Sequence, residues 1–199
     1  MAVRRGTTGS SPANRGRALE DLVRVANARY RALGLAVVHK VPSAWVPLRG
    51  PGGRVAGAKV EEKAAVDFLG HVRPPSGGGW GVPVAFDAKE VSRGDRWPLS
   101  RLEPHQYEYL QDCHRTGCAA FVLVAFWEPG RFFALPFPEL ERRWEAWRAG
   151  AGPASVRAGE PGLVEVRFPD YLGFILSGEE RINELFFGDC KGGVERCRA

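Results

Sequence analysis

Long apolar runs, paired cysteines and lysine are what this 199-residue chain has little of, and each shortage excludes something. No uninterrupted apolar stretch approaches the roughly 20 residues of a membrane-spanning helix. The opening Met1-Ala2-Val3-Arg4-Arg5-Gly6 leads into Thr, Ser and Gly rather than into an apolar leader. These features predict a cytoplasmic protein with no membrane partner. Cys113, Cys118, Cys190 and Cys197 show neither the close pairs of a zinc ribbon nor the density of a secreted disulfide scaffold, so they are expected to be free thiols. His39, His71, His105 and His114 are dispersed and form no zinc pattern.

Arginine takes the place of the missing lysine, 23 against 5, and its distribution is uneven. Residues 1–31 hold Arg4, Arg5, Arg15, Arg17, Arg24, Arg29 and Arg31 against Glu20 and Asp21, so this segment carries the whole chain's net charge of +5. A basic start followed by a basic helix suits contact with phosphates, because each neutralised phosphate releases counterions.

The element order is legible from periodicity. Residues 1–13 read as a flexible arm. A helix is expected from Asn14 to Leu33, with Leu19, Leu22, Val23, Ala26, Tyr30 and Leu33 on one stripe and Gly34 as the stop. On that wheel Glu20 falls at the stripe's border. Residues 35–41 read as a strand, and the Pro- and Gly-rich residues 43–63 as an irregular protrusion. Residues 64–72 and 82–91 form a hairpin of strands, followed by the polar loop 92–101, in which Arg93, Arg96 and Arg101 flank Trp97, an arrangement suited either to phosphate contact and base stacking or to a Trp-Pro loop packed on a neighbouring helix. A helix opens at Pro104, residues 118–126 and 131–137 are strands, and residues 138–148 are a helix. A loop over 149–162, a short strand over 163–168 and a final helix capped at Ser177 precede a tail at 188–199. The fold class is α/β, a mixed central sheet flanked by helices, in one domain over 14–187.

Charge inside the apolar strand Val84-Ala85-Phe86-Asp87-Ala88-Lys89-Glu90 is the chain's chemical signature. Strand alternation sends Asp87 and Lys89 to one face, roughly 6.5–7 Å apart along the backbone, and Val84, Phe86 and Ala88 to the other. Hairpin pairing would add Asp67. Two carboxylates with an ammonium suit a divalent metal and a water beside a phosphate. The same acid-x-Lys spacing recurs at Glu61/Lys63 and Asp189/Lys191, but the first lies in a charged run and the second in a Gly-flanked tail.

Several motifs, in order, resemble the RecU family of Holliday junction resolvases, within the PD-(D/E)XK nuclease class. They are Asn14-Arg15-Gly16-Arg17-Ala18-Leu19-Glu20, Gly34-Leu35-Ala36-Val37-Val38-His39-Lys40 with Pro42, Asp67-Phe68-Leu69-Gly70, Phe86-Asp87-Ala88-Lys89-Glu90, Trp97-Pro98-Leu99, His105-Gln106 and Asp170-Tyr171-Leu172. The resemblance implies a PD-(D/E)XK core, a homodimer and a stalk at about 43–63 that enters the branch point. It also implies Mg2+ or Mn2+ held by Asp67 and Asp87, with Lys89, Glu20 and Gln106 as further catalytic residues. Paired nicks in branched DNA, each leaving a 5′-phosphate and a 3′-hydroxyl, would follow, with recombination proteins as possible partners. Where the family usually has Glu before Ala-Lys, this chain has Asp87. Arg4, Arg5, Arg15, Arg17, Arg93, Arg96 and Arg101 are the candidate phosphate contacts. The competing expectations are an endonuclease acting on linear duplex and a non-catalytic DNA-binding protein.

Deleting residues 1–13 is expected to weaken binding to a four-way junction at low salt and to flatten the salt dependence by roughly two counterions, for Arg4 and Arg5. A salt titration in which the truncated and full chains coincide would remove the arm from the interface.

Overall fold

The computed structural model describes residues 12–42, 44–62, 64–77 and 81–187. The first helix, α1 (Pro12–Ala32), begins two residues before the expected Asn14, and Gly34 with φ +65° turns the chain back after it. Leu19, Val23, Ala26 and Tyr30 are buried as the stripe predicts, whereas Leu33 lies beyond the helix end and is exposed.

Six strands form the central sheet: β1 (Ala36–Lys40), β4 (Phe68–Val72), β5 (Val82–Val91), β7 (Ala119–Phe126), β8 (Arg131–Pro136) and β10 (Val164–Val166), in that spatial order. All neighbours are antiparallel except β5 and β7, which run parallel with Asp87 opposite Val122. Parallel neighbours require a crossover, and α2 (Pro104–Arg115) lies within it.

Every residue of β7 is buried, as the uninterrupted apolar run requires. On one face α1 and the C-terminal helical segments α4 (Gly173–Leu176) and α5 (Glu179–Ile182) cover Val84, Phe86, Phe121 and Leu123. On the other face α2 and α3 (Phe137–Arg148) cover Ala85, Val91, Ala120 and Val122. Phe68, Phe86 and Phe121 stack across three adjacent strands at 4.9 and 4.7 Å between ring centroids, tying β4, β5 and β7 together under α1.

Three expectations are corrected. Within the expected irregular segment 43–63, the described residues 44–62 are regular: β2 (Ala44–Arg49) and β3 (Val55–Glu62) pair antiparallel as a separate two-stranded sheet. Both strands are edges, so Pro47 costs no ladder bond that an interior strand would need, and Gly52 and Gly53 supply positive φ at the tip. The polar loop 92–101 contains β6 (Arg96–Pro98), which pairs with β9 (Ser155–Arg157) inside the expected loop 149–162. That second loop is pinned by the buried guanidinium of Arg143, held by Glu139 at 2.6 Å, Glu160 at 2.5 Å and the Pro161 carbonyl at 2.9 Å. Finally, Ser177 does not cap the last helix. Its hydroxyl donates to the Phe174 carbonyl and closes α4 instead. The arm residues 1–11 and the tail 188–199 lie outside the described residues.

Gly70 explains one glycine of the quoted motifs. A Cβ there would stand 2.2 Å from the Val37 carbonyl oxygen and 2.6 Å from Val38 Cα, across the β1–β4 ladder. Gly70→Ala must therefore push β1 away. It is expected to cost about 2–4 kcal/mol and to lower the thermal midpoint by roughly 5–15 °C in a melting experiment.

Candidate active site

Strand alternation along β5 builds the site. Ala85, Asp87, Lys89 and Val91 face α2, and Val84, Phe86, Ala88 and Glu90 face α1. Asp87 has no exposed surface, although it is ionisable. Its Oδ1 accepts from Gln106 Nε2 at 2.7 Å, and its Oδ2 lies 2.6 Å from Lys89 Nζ. That ammonium is the one charged partner of Oδ2 among the described residues. Lys89 Nζ instead donates to Gln106 Oε1 at 2.9 Å.

Gln106 joins three groups because of where it sits on α2. It is the third helical residue after Glu103, and its Oε1 also accepts the Glu103 amide at 3.1 Å, one half of a capping box. The capping geometry aims its amide at β5. A solvated helix glutamine is thereby ruled out.

Asp67 ends the segment before β4. Its main-chain carbonyl accepts the Val41 amide at 2.8 Å, and its Oδ2 accepts the Ala88 amide at 2.8 Å, between Asp87 and Lys89. The hairpin register, Phe68 opposite Phe86, places Asp67 next to Asp87. Burial, then the nearby Asp67 carboxylate, push the Asp87 pKa up to about 7, with Lys89 opposing both.

Two carboxylates forced together, one fully buried and with one oxygen met only by an ammonium, fit a hard divalent cation that offsets their repulsion. Among the described residues no set of three or more His, Cys, Asp and Glu side chains converges as metal ligands. A carboxylate pair leaves the other positions of a magnesium ion to water and phosphate oxygens.

The remaining predicted residues are placed less centrally. Glu20 on α1 pairs with Lys40 of β1 in a groove of about 360 Å³ that also touches Phe68, next in the chain to Asp67. Arg93 and Arg96 are exposed. Arg101 donates to the Glu90 carbonyl at 2.7 Å and so clamps the end of β5. Trp97 is fully buried among Leu99, Leu102 and Val156, which removes it as a base-stacking platform. Arg4 and Arg5 lie outside the described residues, as do the side chains of Arg15 and Arg17.

Glu90 had no expected role. It is buried, and its Oε1 accepts the Leu19 amide at 2.7 Å while its Oε2 accepts Trp127 Nε1 at 2.8 Å. One carboxylate thus ties α1, next to Glu20, to the strand that carries Asp87 and Lys89. The signal was present in the alternation: a carboxylate on the Val84-Phe86-Ala88 face must find buried donors.

The sign of the Asp87 shift makes a test. With its folded pKa raised from 3.8 to about 7, the group's contribution to stability is fully present below about pH 4 and is lost as pH rises toward 7. In metal-free protein Asp87→Asn is expected to raise stability at pH 8 by roughly 1–4 kcal/mol and to change it little at pH 4, measured by thermal unfolding in EDTA.

Comparison with known proteins agrees with this geometry. Residues 14–157 match the family Recombination protein U, RecU. A protein of Pediococcus pentosaceus named Holliday junction resolvase RecU is 28% identical over 141 residues, 68% of this chain and 67% of that one. The protein of the same name from Limosilactobacillus reuteri is 27% identical over 150 residues, 73% and 70% of the two chains. That from Listeria innocua is 28% identical over 178 residues, 87% and 85%. The matched span covers α1, the β2–β3 hairpin, both carboxylates, Lys89 and Gln106, and the chain belongs to the RecU family.

Proposed function

We propose that this chain is an endonuclease that resolves four-way DNA junctions by metal-dependent phosphodiester hydrolysis. The observation that carries the reading is the meeting of Asp67, Asp87, Lys89 and Gln106 at the joined ends of β4, β5 and α2. Asp67 and Asp87 would hold a magnesium or manganese ion. Bound there, such an ion supplies charge neutralisation and Lewis acidity toward a phosphodiester.

The chain's own residues do the rest. Lys89, half-buried and fixed by Gln106, holds its ammonium where it can orient a water and offset charge building on the phosphoryl oxygens. The water attacks phosphorus in line, the bond to the 3′ oxygen breaks, and a 5′-phosphate and a 3′-hydroxyl remain. Gln106 keeps Lys89 and Asp87 in mutual register through the reaction. Glu20 faces the α1–β1 groove beside the Asp67 end of β4, a position for a strand flanking the cut.

One further feature supports the branched substrate. The β2–β3 hairpin is a separate sheet with Arg49, Arg54, Leu48 and Val55 exposed toward its tip, a mixture of phosphate contact and apolar surface suited to a branch point. A two-fold homodimer would set one site on each of two opposed strands, matching the substrate's symmetry.

Purified protein incubated with a labelled mobile four-way junction and a matched linear duplex, in Mg2+, Mn2+ or EDTA, tests this reading. Paired nicks confined to the junction, absent in EDTA, and reduced roughly 10²–10⁴-fold by Lys89→Ala with binding retained, are expected. Equal cutting of both DNAs would make the chain a general endonuclease, and tight binding without turnover a non-catalytic module.

A further inference from the structure

The C-terminal end of α2 brings two thiols together. Cys113 lies in the last turn of the helix, Gly117 reverses the chain with φ +85°, and the Cys118 amide returns to the Cys113 carbonyl at 2.9 Å. The Thr116 hydroxyl donates to the carbonyls of Asp112 and Cys113 and tightens the same turn. With the Gly117 amide on the His114 carbonyl at 3.0 Å, these bonds form a Schellman motif, whose side chains two past the C-cap and three before it, here Cys118 and Cys113, pack together as a disulfide requires. Both side chains pack in the apolar cluster between α2 and the sheet. Cys118 is buried, while Cys113 is half-exposed and gives an oxidant access.

We propose that Cys113 and Cys118 are a redox modification site, closing in reaction with a hydroperoxide to an intrachain disulfide that ties α2 to the start of β7. The inference does not depend on the nuclease reading. The two sulfurs have distinct roles. Hydrogen bonds from Cys118 and from the Tyr109 hydroxyl lower the Cys113 pKa against its burial, whereas donation to Cys113 and burial keep Cys118 protonated. Cys113 sulfur attacks one peroxide oxygen, the O–O bond breaks, and the other oxygen leaves as water or alcohol after taking a proton. The resulting sulfenic acid is attacked by Cys118 sulfur as its proton departs, the S–O bond breaks, and water leaves. The two thiols lose two electrons, and the peroxide gains them. The closed ring fixes the far end of the helix that presents Gln106 to Asp87 and Lys89.

Arg115 lies between the two cysteines, which makes the product directly readable. In full-length chain carrying Cys190→Ser and Cys197→Ser, hydrogen peroxide treatment, iodoacetamide block and trypsin should join peptide 102–115 to peptide 116–131. The joined species should weigh two hydrogens less than the sum of its parts, disappear with dithiothreitol, and be absent in Cys113→Ser and, separately, in Cys118→Ala. The thiol titre should fall from two per chain to none. Recovery of Cys118 as the alkylated thiol, with Cys113 alkylated or carried on to the sulfinic acid, would overturn the proposal. The reading on Cys113→Ser stands even where the buried Cys118 variant fails to fold.

Discussion

A carboxylate with no exposed surface, beside a second carboxylate, is the constraint on which the rest of this structure depends. Asp87 is affordable in a sheet interior only because Gln106 donates to one of its oxygens and Lys89 stands against the other. Gln106 can reach it only because α2 returns over that face on the way from β5 to its parallel neighbour β7. The one parallel pairing in an otherwise antiparallel sheet is therefore what places a helix, and an amide, over the acidic strand. An ordinary hairpin after β5 would leave no chain to cover it.

The same strand distributes charge to both faces of the sheet. Asp87 and Lys89 point toward α2, and Glu90, one residue on, points toward α1, where it accepts the Leu19 amide and the Trp127 indole. The two networks share one backbone, and the Arg101 guanidinium holds its Glu90 carbonyl. A displacement of β5 would break bonds on both faces at once. The position of α1, with Glu20 beside Leu19, is thereby registered to the strand that carries the candidate chemistry.

Much of this was legible in the residues, and the failures share a cause. Helical stripes, the apolar run over 118–126 and the hairpin joining Asp67 to Asp87 all follow from local periodicity, and each has its counterpart in α1, β7 and the β4–β5 pair. The misread segments are those whose structure is determined by a distant partner. Three-residue β6 and β9 exist only through each other, across more than 50 residues of sequence, and Pro98 and Gly-rich flanks hide them. Residues 44–62 look irregular because Pro47 and the tip glycines are tolerated only in a sheet made entirely of edges. Flanking arginines left Trp97 equally suited to stacking or to packing, and strand alternation sends it into the core. Glu90 was visible as a letter and not as a bond, since its donors come from residue 19 and residue 127.

An aspartate at position 87 agrees with how tightly the site is drawn to the sheet. The shorter side chain keeps its carboxylate close to the β5 backbone, in the same layer where Asp67 Oδ2 accepts the Ala88 amide. Gln106, extended from α2, then spans the remaining gap, donating to Asp87 and accepting from Lys89 with the two ends of one amide. A longer acid at position 87 would carry its oxygens into the space that amide occupies. The short acid on the strand and the reach of the glutamine from the helix are thus complementary. They place the charge deep enough for burial to raise the Asp87 pKa, and near enough to Asp67 for that second carboxylate to raise it further.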